Sequence, residues 1–318
     1  MLEKLFESLG TKYQVKIQHK GVGVHTLELA GFDLEFSSPR IEIFKEGDLS
    51  HLNFVPKFVS NLSTLEAFRR RDFTINAIGI FFGVSGADDE FTVLDPYHGM
   101  QDLQEKKMRE VSSDFFHDPV RLLRLIRFSE RFNFAIDEKL KNNIFQFNLS
   151  KLSLFHFYSE FKKSRSIKFF KLFFELVSEH HITLAEDIEE LSFLRELVDI
   201  KTSDRAELFF ALQPFTDNQK SLITSAFKFK EKVFKGHLKT YKVLNEIREK
   251  KVVSLEILRS FEIIRDNGFA QAFGIENDDK YEKFLTLSAL KVSFKSSSDR
   301  IDYNEQILKE LNRQNNPK

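Results

Sequence analysis

The chain has 318 residues, 42% of them hydrophobic and 30% charged, with 48 Lys and Arg balancing 48 Asp and Glu. That size predicts a soluble globular protein of two or more domains, and the zero net charge excludes a surface coated throughout for nucleic acid. No cysteine is present, which excludes disulfides and thiolate metal sites, and no run of about 18 apolar residues could span a membrane.

Residues 1–9 predict a helix closed by Gly10, and the acidic Glu3 and Glu7 make it unlike a signal peptide, so the expected compartment is the cytoplasm. Residues 13–17, 22–30 and 32–36 carry the alternation and β-branched content of strands. In the third, Asp33 and Glu35 share one face while Leu34 points to the other. Paired carboxylates on a strand suit Mg2+, which takes oxygen ligands beside substrate phosphates; a solvated strand face explains them equally well.

Residues 40–69 form a polar connection with Gly47, Asp48, Ser50, Pro56, Asn61 and Ser63, read either as a mobile loop or as a plain surface connection. Arg69, Arg70 and Arg71 then lead into Asp72-Phe-Thr-Ile-Asn76-Ala77. The spacing predicts a helix starting near Asp72, with Asp72 and Asn76 on one face and Ile75, Ile78, Ile80 and Phe81 on the buried side. Arg70 and Arg71 would lie beside free backbone N–H groups, where phosphate oxygens are stabilised. Asp72 and Asn76 would face a sugar's hydroxyls. The competing reading is a basic surface turn before an ordinary helix that Asp72 caps. Residues 83–90 predict a hairpin turn, and Asp95-Pro96 begins another that leads to the charged segment 102–109.

Asp118 and Pro119 announce a helix that carries Arg121, Arg124, Arg127 and Arg131. At about 100° per residue these four fall within a stripe roughly 120° wide, together with Leu125, Phe128 and Phe132. A solvated arginine face would not interleave with Leu and Phe, so the stripe predicts contact with a polyanion. Asp118 accepts and Arg121 donates, which complements a nucleobase edge.

Beyond residue 122 the pattern is helical. Residues 162–176 alternate Lys and Arg with Phe161, Phe169, Phe170, Phe173 and Phe174, an amphipathic helix whose rings belong mostly to the core. His180 and His181 lack ligand spacing and read as a surface pair. Residues 228–251 carry nine basic against three acidic side chains, and 186–207 carry eight acidic against three basic. The basic stretch is either an RNA surface or one of two complementary helical faces. The tail from Arg313 is polar and expected to fray.

Three blocks, Arg70-Arg-Asp-Phe-Thr-Ile-Asn-Ala77, Asp95-Pro-Tyr-His-Gly99 with Asp102-Leu103, and Asp118-Pro-Val-Arg-Leu-Leu-Arg-Leu-Ile-Arg127-Phe128, resemble the class II tRNA nucleotidyltransferase and bacterial poly(A) polymerase family. The resemblance covers roughly residues 1–175. It implies a mixed α/β nucleotidyltransferase head with a partial β-sheet (1–112), a helical neck holding the nucleotide-templating helix (113–175), and a helical body and tail that bind RNA (176–318). The implied activity is template-independent addition of CMP and AMP from CTP and ATP to an RNA 3′ end, above all tRNA CCA maturation, with Mg2+ as cofactor. Poly(A) polymerase activity and non-catalytic nucleotide or RNA binding are the alternatives.

By the same resemblance Arg71 holds the triphosphate, Asp72 with Asn76 checks for ribose, Asp118 and Arg121 pair with the base, and Arg124 and Arg127 complete the phosphate contacts. Glu35, counted back from Arg40, matches the third catalytic carboxylate and is the expected metal ligand, with Asp33 a weaker one. The sequence departs from the pattern in three places. His117 stands where the family usually has Glu, and Phe157 replaces an arginine of the neck motif, of which Leu152-Ser153, Glu160 and Lys163 are faint traces. No Gly-Gly, Arg-Asp or Asp-x-Asp segment precedes Glu35, so either a longer native head or the loss of the principal metal site is expected.

Overall fold

The computed structural model describes residues 16–19, 24–29, 32–45, 47, 51, 54–82, 91–164, 166–197, 209–210, 213, 215–230, 232, 234 and 235. The chain divides into two compact units, Met1–Glu186 and Asp187–Lys318. The architecture is mixed α/β, with small sheets at the front of the first unit and helices after them.

Strands β1 (Lys16–His19), β2 (Val24–Leu29) and β3 (Phe32–Ser37) form an antiparallel meander in which Thr26 stands opposite Glu35 and Glu28 opposite Asp33. The second and third match the predicted strands closely. The expected helix at 1–9 and the turn at 83–90 lie outside the described residues. Strands β4 (Arg40–Phe44) and β5 (Phe54–Phe58) pair antiparallel, and so do β6 (Gly79–Phe82) and β7 (Phe91–Leu94). The predicted polar connection therefore contains a strand pair: β-branched and aromatic residues at Ile41, Ile43, Phe54, Val55 and Phe58 outweigh the local Gly and Ser.

Helix α1 (Thr64–Arg69) opens on a capping box, in which Ser63 and Glu66 each satisfy the other's backbone N–H. The helix predicted to begin at Asp72 is absent. Phe73 is extended (φ −120°, ψ 150°) and bridges to Glu110, which breaks the helical path, and only a 3-10 turn, Thr74–Asn76, follows. The physical cause is burial. Phe73 is fully enclosed against Phe115 and Phe128, and the bridge lets its backbone enter that core with hydrogen bonds satisfied.

Helix α2 (Gly99–Glu105) starts where both Asp95 carboxylate oxygens accept the Gly99 and Met100 N–H groups. A Cβ at Gly99 would lie 2.1 Å from the Thr74 carbonyl oxygen, so only glycine lets this helix approach the 3-10 turn so closely. The two-residue strands β8 (Lys107–Met108) and β9 (Ala135–Ile136) pair in parallel. Between them runs α3 (Val120–Phe132), which begins as predicted just after Pro119 and ends at Asn133 in the left-handed conformation. Its Leu122, Leu123, Leu125 and Ile126 are fully buried.

After α4 (Glu138–Asn142), the expected helix over 162–176 is two helices, α5 (Leu154–Ser164) and α6 (Lys168–Glu179). Ser164 explains the break: its hydroxyl donates to the Phe161 carbonyl and accepts the Ser166 N–H, closing one helix with side-chain bonds. The phenylalanines pack as predicted, with Phe157 in ring contact with Phe169, Phe170, Phe173 and Phe174. His180, expected at the surface, is partly buried at the end of α6, whereas His181 is exposed. Helix α7 (Glu186–Glu189) lies at the boundary between the units. Within the second unit a 3-10 turn (Ser192–Glu196) and α8 (Asp217–Ala226, capped by Thr216 and Gln219) are described, and Phe210, Phe227, Phe229 and Phe234 form a ring cluster. Among the described residues no helix is long and apolar enough to cross a membrane.

Candidate nucleotide site

Asp72 is where the first and third blocks meet. Its Oδ1 accepts the Phe73 N–H (3.0 Å) and the Asn76 Nδ2 (3.1 Å), so Asp72 and Asn76 are joined although the helix predicted to align them is missing. Its Oδ2 accepts Nε of Arg124, 52 residues away, at 2.5 Å. The carboxylate is almost wholly buried, and this charge-assisted bond is of the strong kind.

Arginines surround that junction. Arg70 is half buried, its Nη2 donates to Ser37 Oγ at 3.4 Å, and its pKa is lowered to about 10. Burial is the main cause, followed by the neighbouring charges of Arg40 and Arg71, with Glu42 opposing them. Arg70 stays protonated at neutral pH, so this is a crowded cationic spot where an arriving anion would be stabilised. Arg71 beside it is exposed.

Three members of the predicted stripe have partners inside the protein. Arg121 donates to the Asp114 carbonyl (3.1 Å) and the Arg70 carbonyl (2.9 Å), with Glu42 at 4.0 Å, and it is buried. It clamps the turn after α1 to α3. Arg124 holds Asp72. Arg127 donates to Glu160 on α5 at 2.6 Å and lies over the Phe128 ring, while Lys163 reaches the other Glu160 oxygen at 2.6 Å. Arg131 is exposed. In this structure the stripe meets carboxylates and carbonyls of its own chain where the sequence predicted a polyanion. Asp118 accepts the Val120 N–H (2.9 Å) and the His51 ring nitrogen. His117, in the place of the usual Glu, packs its ring 4.6 Å from Phe44.

Several contributors carried no assigned role in the sequence. Thr74 donates to the fully buried Asp102 at 2.6 Å, Arg109 pairs with the same carboxylate, and Arg109 also reaches Asp137 at 3.0 Å. This chain of bonds fixes the 3-10 turn that carries Asn76. Glu42 and His51 join from the strand pair and the loop. Sequence spacing carried no signal for them, since their partners are far away along the chain.

Residues 1–109 match the family described as poly A polymerase head domain. The chain is 41% identical over 83 residues to a multifunctional CCA protein of Legionella pneumophila, covering 26% of this chain and 18% of that one. It is 34% identical over 129 residues to a CCA-adding enzyme of Buchnera aphidicola, covering 41% and 26%. The front of the chain is similar to the poly A polymerase head domain and to parts of CCA-adding enzymes. Its matches thus span about a fifth to a quarter of these relatives' own length. The fold is also similar to that of a solved tRNA-processing enzyme (TM-score 0.62, 21% identity, 96% of this chain and 85% of that one). It resembles the Bacillus stearothermophilus CCA-adding enzyme in complex with CTP as well (0.54, 19%, 94% and 69%).

The resemblance implies Mg2+ with Glu35 as its ligand and Asp33 as a weaker one. Both are exposed on β3, and among the described residues no three or more His, Cys, Asp or Glu gather as an ion would require. The described donors therefore do not make a Mg2+ site, since a hard cation takes about six oxygen ligands and phosphoryl transfer leans on carboxylates to hold it.

Proposed function

We propose that this chain is an RNA nucleotidyltransferase, transferring CMP and AMP from CTP and ATP to RNA 3′ ends, with tRNA CCA-end maturation as its task. The observation that carries the reading is the bond from Arg124 to Asp72, which brings the arginine helix against the Arg70-Arg71-Asp72 turn. Around it the elements of a nucleoside triphosphate site converge: cationic Arg70 and Arg71 for phosphates, Asp72 with Asn76 for a ribose, and Asp118 with Arg121 for a base. Arg124 and Arg127, held by Asp72 and Glu160, are the further candidates for the phosphates. Residues 1–112 act as the head, 113–175 as the neck and 176–318 as the RNA-binding body and tail. The RNA's terminal hydroxyl attacks the α-phosphate and pyrophosphate leaves. Mg2+ is the expected cofactor of this reaction class, and Glu35, the carboxylate the resemblance assigns to it, would be a single ligand and not a complete site among the described residues.

A second reading, poly(A) polymerase, is favoured by the family description that residues 1–109 match. The test is incubation of the 318-residue chain with CTP and ATP, separately and together, on tRNA lacking its 3′ end. A limited addition of both nucleotides supports CCA synthesis, and unlimited AMP supports the second reading. No incorporation, with nucleotide binding that still depends on Asp118 and Arg121, makes the chain a non-catalytic binder and overturns both.

A further inference from the structure

We infer that His51 is a positioning residue for Asp118, fixing the carboxylate in the orientation that separates amino-bearing from keto-bearing nucleobases. The inference rests on the nucleotide-binding reading above and extends it to a residue 67 positions away from the one it orients.

The His51 Nδ1 lies 3.0 Å from each Asp118 oxygen, so one ring nitrogen bridges the carboxylate symmetrically. The Val120 N–H holds Oδ1 at 2.9 Å. A carboxylate offers about four acceptor positions on two oxygens. With one donor bridging the oxygens and another holding Oδ1, rotation of the group is blocked and Oδ2 keeps acceptor capacity. His51 is itself held from behind: the His156 ring packs edge-on at 4.5 Å, and Phe155 continues the row at 5.3 Å. Burial, with the nearby His51, lowers the His156 pKa, so the backing ring stays toward its neutral form and adds no competing charge. His117 cannot take over this task from where it lies, since its ring rests against Phe44.

Cytosine and adenine present an exocyclic amino donor where uracil and guanine present a carbonyl acceptor. An oriented carboxylate accepts from the first pair and repels the second. A carboxylate free to rotate can turn away from a carbonyl and admit bridging water, which erodes that difference.

The experiment is equilibrium binding of CTP, ATP, UTP and GTP to the full chain, for wild type, D118A, H51A and H51N, with thermal melts alongside. The wild type is expected to prefer CTP and ATP, and D118A to lose that preference. H51A should lower the preference about tenfold, with UTP and GTP binding more tightly as the freed carboxylate turns away from their carbonyls, and CTP and ATP binding no more tightly than in wild type. H51N should restore it, because the Asn amide can place an N–H close to the position of Nδ1. Should H51A melt early, H51N with wild-type stability decides the matter by its preference alone. Unchanged preference in H51A, an equal loss for all four nucleotides, or tighter binding of all four (the ring then being a competitor for the base) overturns the inference and leaves the nucleotide reading standing. A wild type with no Asp118-dependent preference overturns both.

Discussion

Glu110 pairs through its backbone with Phe73, yet its Oε2 is buried with no hydrogen-bond partner among the described residues. Burial raises its pKa above the ordinary 4.5, with Asp137 adding to the rise and Lys139 and Arg109 opposing it. The folded state therefore keeps this proton longer than the unfolded chain does. Its favourable contribution is full below pH 4.5 and is lost as pH rises through the raised value. E110Q is expected to be more stable than wild type at pH 7 and to lose that advantage as pH falls toward 4.5, which urea denaturation across that range would check. At this scale the sequence was legible where a side chain sits in a motif, as with Asp72, Asn76, Asp118 and the arginines. It was silent on Asp137, Glu42 and His51, and gave Asp102 a place in a motif but no partner, because an ordinary acidic residue or histidine shows its importance only when folding brings a distant partner to it.

The ion pair between α3 and α5 lets the energetics of two elements be separated. Arg127 and Glu160 are both buried, but Glu160 has a second partner in Lys163, whose side chain is half exposed, whereas among the described residues Arg127 has the Phe128 face and no second carboxylate. Removing one partner of a buried pair costs about 3–5 kcal/mol because a charge is stranded. E160M should approach that cost. R127M should cost clearly less, since Lys163 remains to neutralise Glu160, and the double variant less than the sum of the two. Chemical denaturation of the three variants tests the order, and equal single-variant losses would contradict it. The start of α3 could be read from Asp118-Pro119, and two of the meander strands from alternation alone. The turn at Asp72 could not, because i, i+4 spacing suits a helix, and the bridge from Phe73 to Glu110 that overrides it spans 37 positions. The break at Ser164 was hidden for another reason: the Phe periodicity runs straight through it.

In the whole molecule, the division between compact units falls at residue 186, and the expected head and neck lie together in the first. The physical reason is the density of ties across residue 112: Phe73 against Phe128, Arg121 on the Arg70 carbonyl, Arg124 on Asp72 and β8 beside β9. The second unit holds the basic stretch 228–251, six positive charges in excess on a neutral chain. If that stretch meets RNA, replacing Lys239, Lys242, Arg248, Lys250 and Lys251 with Gln should flatten the slope of log affinity for tRNA against log salt by about one unit or more. Nucleotide affinity should stay unchanged. Titrations at several salt concentrations distinguish this from a mere complement to the acidic stretch at 186–207, for which the slope would not move.

The Asp72 carboxylate serves Asn76 with one oxygen and Arg124 with the other. On the proposed roles, sugar choice and the hold on the phosphate tail hang from a single side chain and cannot be tuned apart. Lineages that relax their rejection of deoxynucleotides by changes here should drift in triphosphate affinity at the same time, and those that guard one property should be found guarding the other.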